Sequence, residues 1–153
     1  MTRRRRALRR SGDEGRGRRA GIDPDALEEL LAGILEASGE GAAIVVEGER
    51  DERSLRELGV EGPIVRAARR PALEVAEDGV MGYEEVVILT DWDRAGDELA
   101  RRIELHLRGM GARVDTETRE RLKRMVRREI KDVESLSGFV ERVRSEICPE
   151  ELR

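Results

Sequence analysis

The 153-residue chain predicts an α/β domain: a parallel sheet of about four strands with helices on both faces. Short apolar runs alternate with helical patterns along the chain. The runs are continuous rather than alternating, as in strands covered on both sides. A hydrophobic fraction of 38% with 16 Gly gives enough apolar material for one core of ordinary size.

The elements follow in order. Asp23-Pro24 with Leu27, Leu30, Leu31, Ile34 and Leu35 predicts an N-capped helix closing near Ser38-Gly39. Ala42–Val46 is a first strand, ending abruptly at Glu47-Gly48. The charged segment from Glu49 to Leu58 is a helix stopped by Gly59, and Pro63–Val65 is a second strand. A weaker helix covers about 71–77. Glu85–Thr90 is the clearest strand and runs straight into Asp91-Trp92-Asp93. A helix from Gly96 to Arg108, a fourth strand at Ala112–Asp115 and two charged helices near 117–129 and 134–147 complete the chain.

Charge divides the chain unevenly. Residues 1–20 carry nine Arg against Asp13 and Glu14, a net of +7, which leaves −11 on the rest. Such an arm cannot bury surface and is expected to be disordered alone; it either binds phosphate polyanions or serves only as a solubility tail. Residues 21–153 form the single domain, with its core at about 40–136. The 42% charged share, 28 Arg against 2 Lys and the absence of Asn and Gln suggest a high-temperature origin. One cysteine, Cys148, excludes an internal disulfide or a cysteine-built zinc site. No apolar window suits a membrane span and no secretory segment is visible, so a cytoplasmic location is expected.

The acidic body has a pattern. Ligands of open parallel sheets bind beyond the carboxyl ends of the strands. Strand one ends in Glu47 and strand three in Asp91 and Asp93. Extended residues two apart face the same side, so Asp91 and Asp93 should face one point with Trp92 turned away. Clustered carboxylates require a proton or a cation among them. Hard oxygen ligands without His or Cys suit Mg²⁺, with Mn²⁺ the alternative. Asp93 is equally placed to cap the following helix. Gly48 would let a phosphate approach the backbone, and Gly96 would let the chain enter a helix beside one. Arg66, Arg69 and Arg70, beyond the second strand, and Arg94, after the acid pair, are candidate phosphate contacts or simply solvated charges.

These motifs resemble a known family. Val45-Val46-Glu47-Gly48-Glu49-Arg50-Asp51 is similar to the hydrophobic–Glu-Gly-x-x-Asp element of Toprim domains, and Asp91-Trp92-Asp93-Arg94-Ala95-Gly96 to their Asp-x-Asp-x-x-Gly element. Lys131-Asp132-Val133-Glu134 is similar to the acidic region that follows in primase-type members. The resemblance implies a Rossmann-like Toprim fold that binds Mg²⁺ and acts on RNA or DNA phosphodiesters. It makes Asp91 and Asp93 metal ligands and Glu47 a ligand or general acid/base. Asp51, Asp132 and Glu134 would form a second, weaker metal site. The chain lacks the zinc module of a primase, and its single tyrosine, Tyr83, is poorly placed for a topoisomerase nucleophile. It looks like the small stand-alone Toprim proteins of archaea and the Toprim part of the 5S ribosomal RNA maturase. A small metal-dependent nuclease is the leading expectation. A non-catalytic, Mg²⁺-dependent nucleic-acid or nucleotide-binding module working with a partner protein stays open. A haloacid dehalogenase-type phosphatase also uses Asp-x-Asp, but there the pair follows the first strand.

Overall fold

The computed structural model describes residues 22–81 and 83–147. The basic arm and Cys148 lie outside them. The chain runs α1 (Pro24–Gly39), β1 (Ala43–Val46), α2 (Glu49–Glu57), β2 (Ile64–Arg66), α3 (Ala72–Val80), β3 (Glu85–Ile88), α4 (Arg94–Gly109), β4 (Arg113–Asp115), α5 (Glu117–Val126), a 3₁₀ turn (Val133–Ser135) and α6 (Leu136–Ile147). Among these residues no helix is long and apolar enough to cross a membrane.

The four strands are parallel in the order β2-β1-β3-β4. Ile44 of β1 lies beside Ile64 on one side and Val87 on the other, so β1 is fully enclosed. From β1 the chain moves outward to β2, then crosses back to β3. The winding therefore reverses between β1 and β3, the position where open α/β sheets leave a crevice at their carboxyl edge. Glu47 and Asp91 lie just past these two strands.

Alternating side chains of the central strands build two cores. Ile44, Val46, Val87 and Leu89 join Leu27, Leu55, Leu122, Phe139 and Val140 on the face covered by α1, α2, α5 and α6. Val45, Val86 and Ile88 join Val75, Ile103 and Leu107 on the α3–α4 face. Each fully buried aliphatic side chain contributes about 1.5–3 kcal/mol. That explains why four-residue strands suffice when every β1 side chain is buried.

Two boundaries differ from the sequence reading. The helix expected over 117–129 ends at Val126, whose carbonyl accepts the amides of both Glu129 and Ile130. The closing turn buries Ile130 and Val133. The last helix begins as a 3₁₀ turn because Asp132 caps it, Oδ1 accepting the Ser135 amide at 3.0 Å. This brings residues 132–135 up to the carboxyl edge of the sheet.

Candidate metal centre

Glu47 and Asp91 meet directly. Once β3 ends, the Asp91 amide has no strand partner and donates to Glu47 Oε2 at 3.1 Å. Four more acids are held in the same way. Asp51 Oδ2 accepts the Gly48 amide at 3.0 Å, closing the first turn of α2. Asp91 Oδ1 accepts the Val133 amide at 3.0 Å, Asp93 Oδ1 the Gly96 amide at 2.8 Å, and Asp132 the Ser135 amide. In each, a backbone N–H fixes one carboxylate oxygen. Side chains held this way lose little rotamer freedom on binding an ion.

The 3₁₀ turn acts as a hub. Its successive amides at 133, 134 and 135 face Asp91, Asp51 and Asp132 respectively. Aligned donors at a helix start favour negative charge. They do not balance it here. Burial, then the like charges of Asp51, Glu47 and Asp132, push the Asp91 carboxyl up to about 7, against the lowering effect of the Val133 amide. Burial, followed by repulsion from Asp93 and Asp51, also raises Glu47. Asp51 rises through burial and through Asp132 and Glu134. The cluster is short of positive charge in front of it.

The structure separates the acid pair expected to face one point, because Asp93 is drawn off to cap α4. Trp92 does turn away: it is buried among the core side chains, and its indole N–H donates to the Ile130 carbonyl at 2.9 Å. Asp91 faces Asp51, Glu47 and Asp132, whereas Asp93 is exposed, caps α4 and acts on Glu47. Glu134 sits at the rim, 3.6 Å from Arg50. Among the described residues no three His, Cys, Asp or Glu side chains form a ready-made metal cage. The donor set nevertheless fits Mg²⁺, which binds through one or two carboxylates, keeps several waters and favours oxygen donors.

The glycines and arginines take distinct positions. A Cβ on Gly48 would meet no atom within 4 Å. A Cβ on Gly96 would overlap the Asp91 carbonyl oxygen, so this glycine serves the packing of the loop against α4. Arg66 donates to Glu52 at 2.7 Å, and Arg70 to Glu74, to Asp78 and to the Arg66 carbonyl. Such exposed pairs are worth about 0–1 kcal/mol. Arg69 is exposed with φ 64°, and Arg94 is exposed at the start of α4.

The sequence reading missed Arg119. It is 3% exposed, directly behind the acidic loop. Its Nε donates to the Thr90 carbonyl at 2.9 Å, and its Nη2 to the Asp91 carbonyl and to Asp97, both at 2.6 Å. The available signal was its spacing: Arg119, Leu122 and Val126 share one buried stripe of α5.

A parallel four-stranded sheet with acidic residues at its switch point defines a Rossmann-like α/β class of domain. The Toprim domain model matches residues 42–130, and the chain belongs to that family. Its relatives include the UPF0292 protein of Thermococcus onnurineus, 48% identical over 73% of this chain and 81% of that protein. UPF0292 protein PH1700 of Pyrococcus horikoshii is 49% identical over 71% and 82%. In Methanosarcina barkeri the UPF0292 protein Mbar_A0484 is 43% identical over 77% and 82%. A solved structure described as a putative protein from Aquifex aeolicus superposes with a TM-score of 0.61 at 25% identity, covering 71% of this chain and 96% of that one.

Proposed function

We propose that this chain is a small Mg²⁺-dependent nuclease acting on RNA or DNA. The reading rests on the convergence of Glu47 and Asp91 from adjacent strands, each with one oxygen fixed by a backbone amide. Membership of the Toprim family supports it, since that family is associated with Mg²⁺ and nucleic acids.

In this reading Asp91 and Asp93 hold the ion, with Glu47 beside them, while Asp51, Asp132 and Glu134 favour a weaker second one. Bound Mg²⁺ supplies Lewis-acid polarisation of the phosphoryl oxygens and orients the attacking or leaving oxygen. Glu47, whose second oxygen is not used by the Asp91 amide, would relay a proton at the bridging oxygen. The open space beside Gly48 would admit a phosphodiester. Arg94 and Arg69 would bind flanking phosphates, and Arg66 and Arg70 would do so by exchanging their carboxylate partners.

The test is incubation of the chain with structured RNA, single-stranded DNA and duplex DNA in Mg²⁺ or Mn²⁺. Cleavage that falls by a factor of at least about 100 in Glu47→Gln is expected, the scale of a lost general acid/base. Tight Mg²⁺-dependent binding without turnover, unchanged in Glu47→Gln, would instead identify a binding module that works with a partner protein.

A further inference from the structure

Arg119 is not a surface charge but a buried fork, and its targets are unusual. Two of its contacts are main-chain carbonyls of consecutive residues, Thr90 and Asp91, in the irregular stretch between β3 and α4. With β3 ending at Ile88, these carbonyls have left the strand pairing, and a buried carbonyl left without a donor is destabilising. The same guanidinium reaches Asp97 in the first turn of α4, and Asp97 is held a second time by Lys123 Nζ at 3.0 Å. Thr90 Oγ1 donates to the Gly96 carbonyl at 2.9 Å, tying the loop to the helix from the other side. The loop is thus gripped from behind by Arg119, while Asp91 Oδ1 accepts the Val133 amide and Asp93 Oδ1 the Gly96 amide.

We infer that Arg119 is the positioning residue of the acidic centre: it fixes the main-chain carbonyls of Thr90 and Asp91 so that the Asp91 and Asp93 carboxylates are presented as ligands. This deepens the Mg²⁺ reading and rests on it. The planar guanidinium is required because one Lys ammonium cannot span two carbonyls and a carboxylate in this fixed geometry. Arg119 is also the positive group behind Glu47 that opposes the rise in its proton affinity. A purely electrostatic role would be satisfied by Lys; positioning would not.

The test uses the full chain and two readouts. Trp92, the single tryptophan, reports the loop through acrylamide quenching of its fluorescence, with or without metal. Calorimetry with MgCl₂ alone reports the ion. Arg119→Lys, folded by circular dichroism, is expected to raise Trp92 quenching about twofold and weaken Mg²⁺ about tenfold, the scale for losing an outer-shell support. Lys123→Met, which removes a charge from Asp97 without touching the loop carbonyls, should leave the quenching and the Mg²⁺ affinity at their wild-type values. Should Arg119→Lys fail to fold, Asp97→Asn loosens the same fork from its anchor and is expected to show both changes. Quenching equal to wild type in a folded Arg119→Lys chain overturns the clamp, and a loosened loop with unchanged Mg²⁺ affinity overturns the positioning role. Wild-type chain that takes up no Mg²⁺ overturns the metal reading, while the quenching comparison still decides whether Arg119 holds the loop.

Discussion

Asp91→Asn is expected to abolish measurable Mg²⁺ binding and cleavage while making the metal-free protein more stable at neutral and alkaline pH. Asn retains an Oδ1 that can accept the Val133 amide, so the local geometry survives, but the charge is gone. The sign follows from linkage. Asp91 has an ordinary carboxyl pKa of 3.8 in an unfolded chain and about 7 in the fold, so the folded state holds its proton longer. Folding is then favoured fully below about pH 4, and that advantage disappears as pH rises through 7. In urea titrations the wild type should lose stability across that window relative to Asp91→Asn. The difference is on the order of 2 kcal/mol by pH 8, below the full linkage value because the carboxylate is only part-buried. Adding Mg²⁺ at pH 8 should stabilise the wild type and leave the variant unmoved. Parallel pH profiles for the two proteins, or wild-type Mg²⁺ affinity in Asp91→Asn, would contradict this account.

The second large effect is expected at Gly96. A glycine at the third position of a helix is ordinarily replaced by Ala with a gain of up to about 1 kcal/mol. Here the added methyl would overlap the Asp91 carbonyl, a backbone atom that Arg119 also holds. Relief requires moving the loop away from α4, which breaks the Asp93–Gly96 cap and the Thr90–Gly96 bond. The clash wins, and Gly96→Ala should destabilise the chain by roughly 2–4 kcal/mol. Thermal unfolding checks the size, and a Mg²⁺ affinity lowered along with it checks that the loop has shifted. A Gly96→Ala chain as stable as wild type would show that the loop and helix separate freely.

Much of this was legible in the amino-acid order. The apolar runs around Ile44 and Val87 mark strands because a buried parallel strand has no polar face. Glu47, Asp91 and Asp93 stand out because they interrupt those runs at the edge where parallel sheets bind ligands. The dual use of the acids was harder to see. Asp51 and Asp132 read as ligands, but each also closes a helix start through one oxygen, and sequence does not say which backbone amide a carboxylate will meet. Arg119 was hidden among 28 arginines, since nothing in composition separates a buried guanidinium from a solvated one. Its place in the Leu122–Val126 stripe, where an apolar residue would be the rule, was the trace available.

The hub of amides at 133–135 lies beyond residue 130, where the match to the family model stops. A shortened chain trimmed at that boundary would keep every strand, yet strip the main-chain donor from Asp91 and take Asp132 with it. It would also expose Leu122 and Val126, since Phe139 and Val140 belong to the same core. The fold that holds Asp91 therefore extends past the family motif, through the 3₁₀ turn at 133–135 and the helix that follows it.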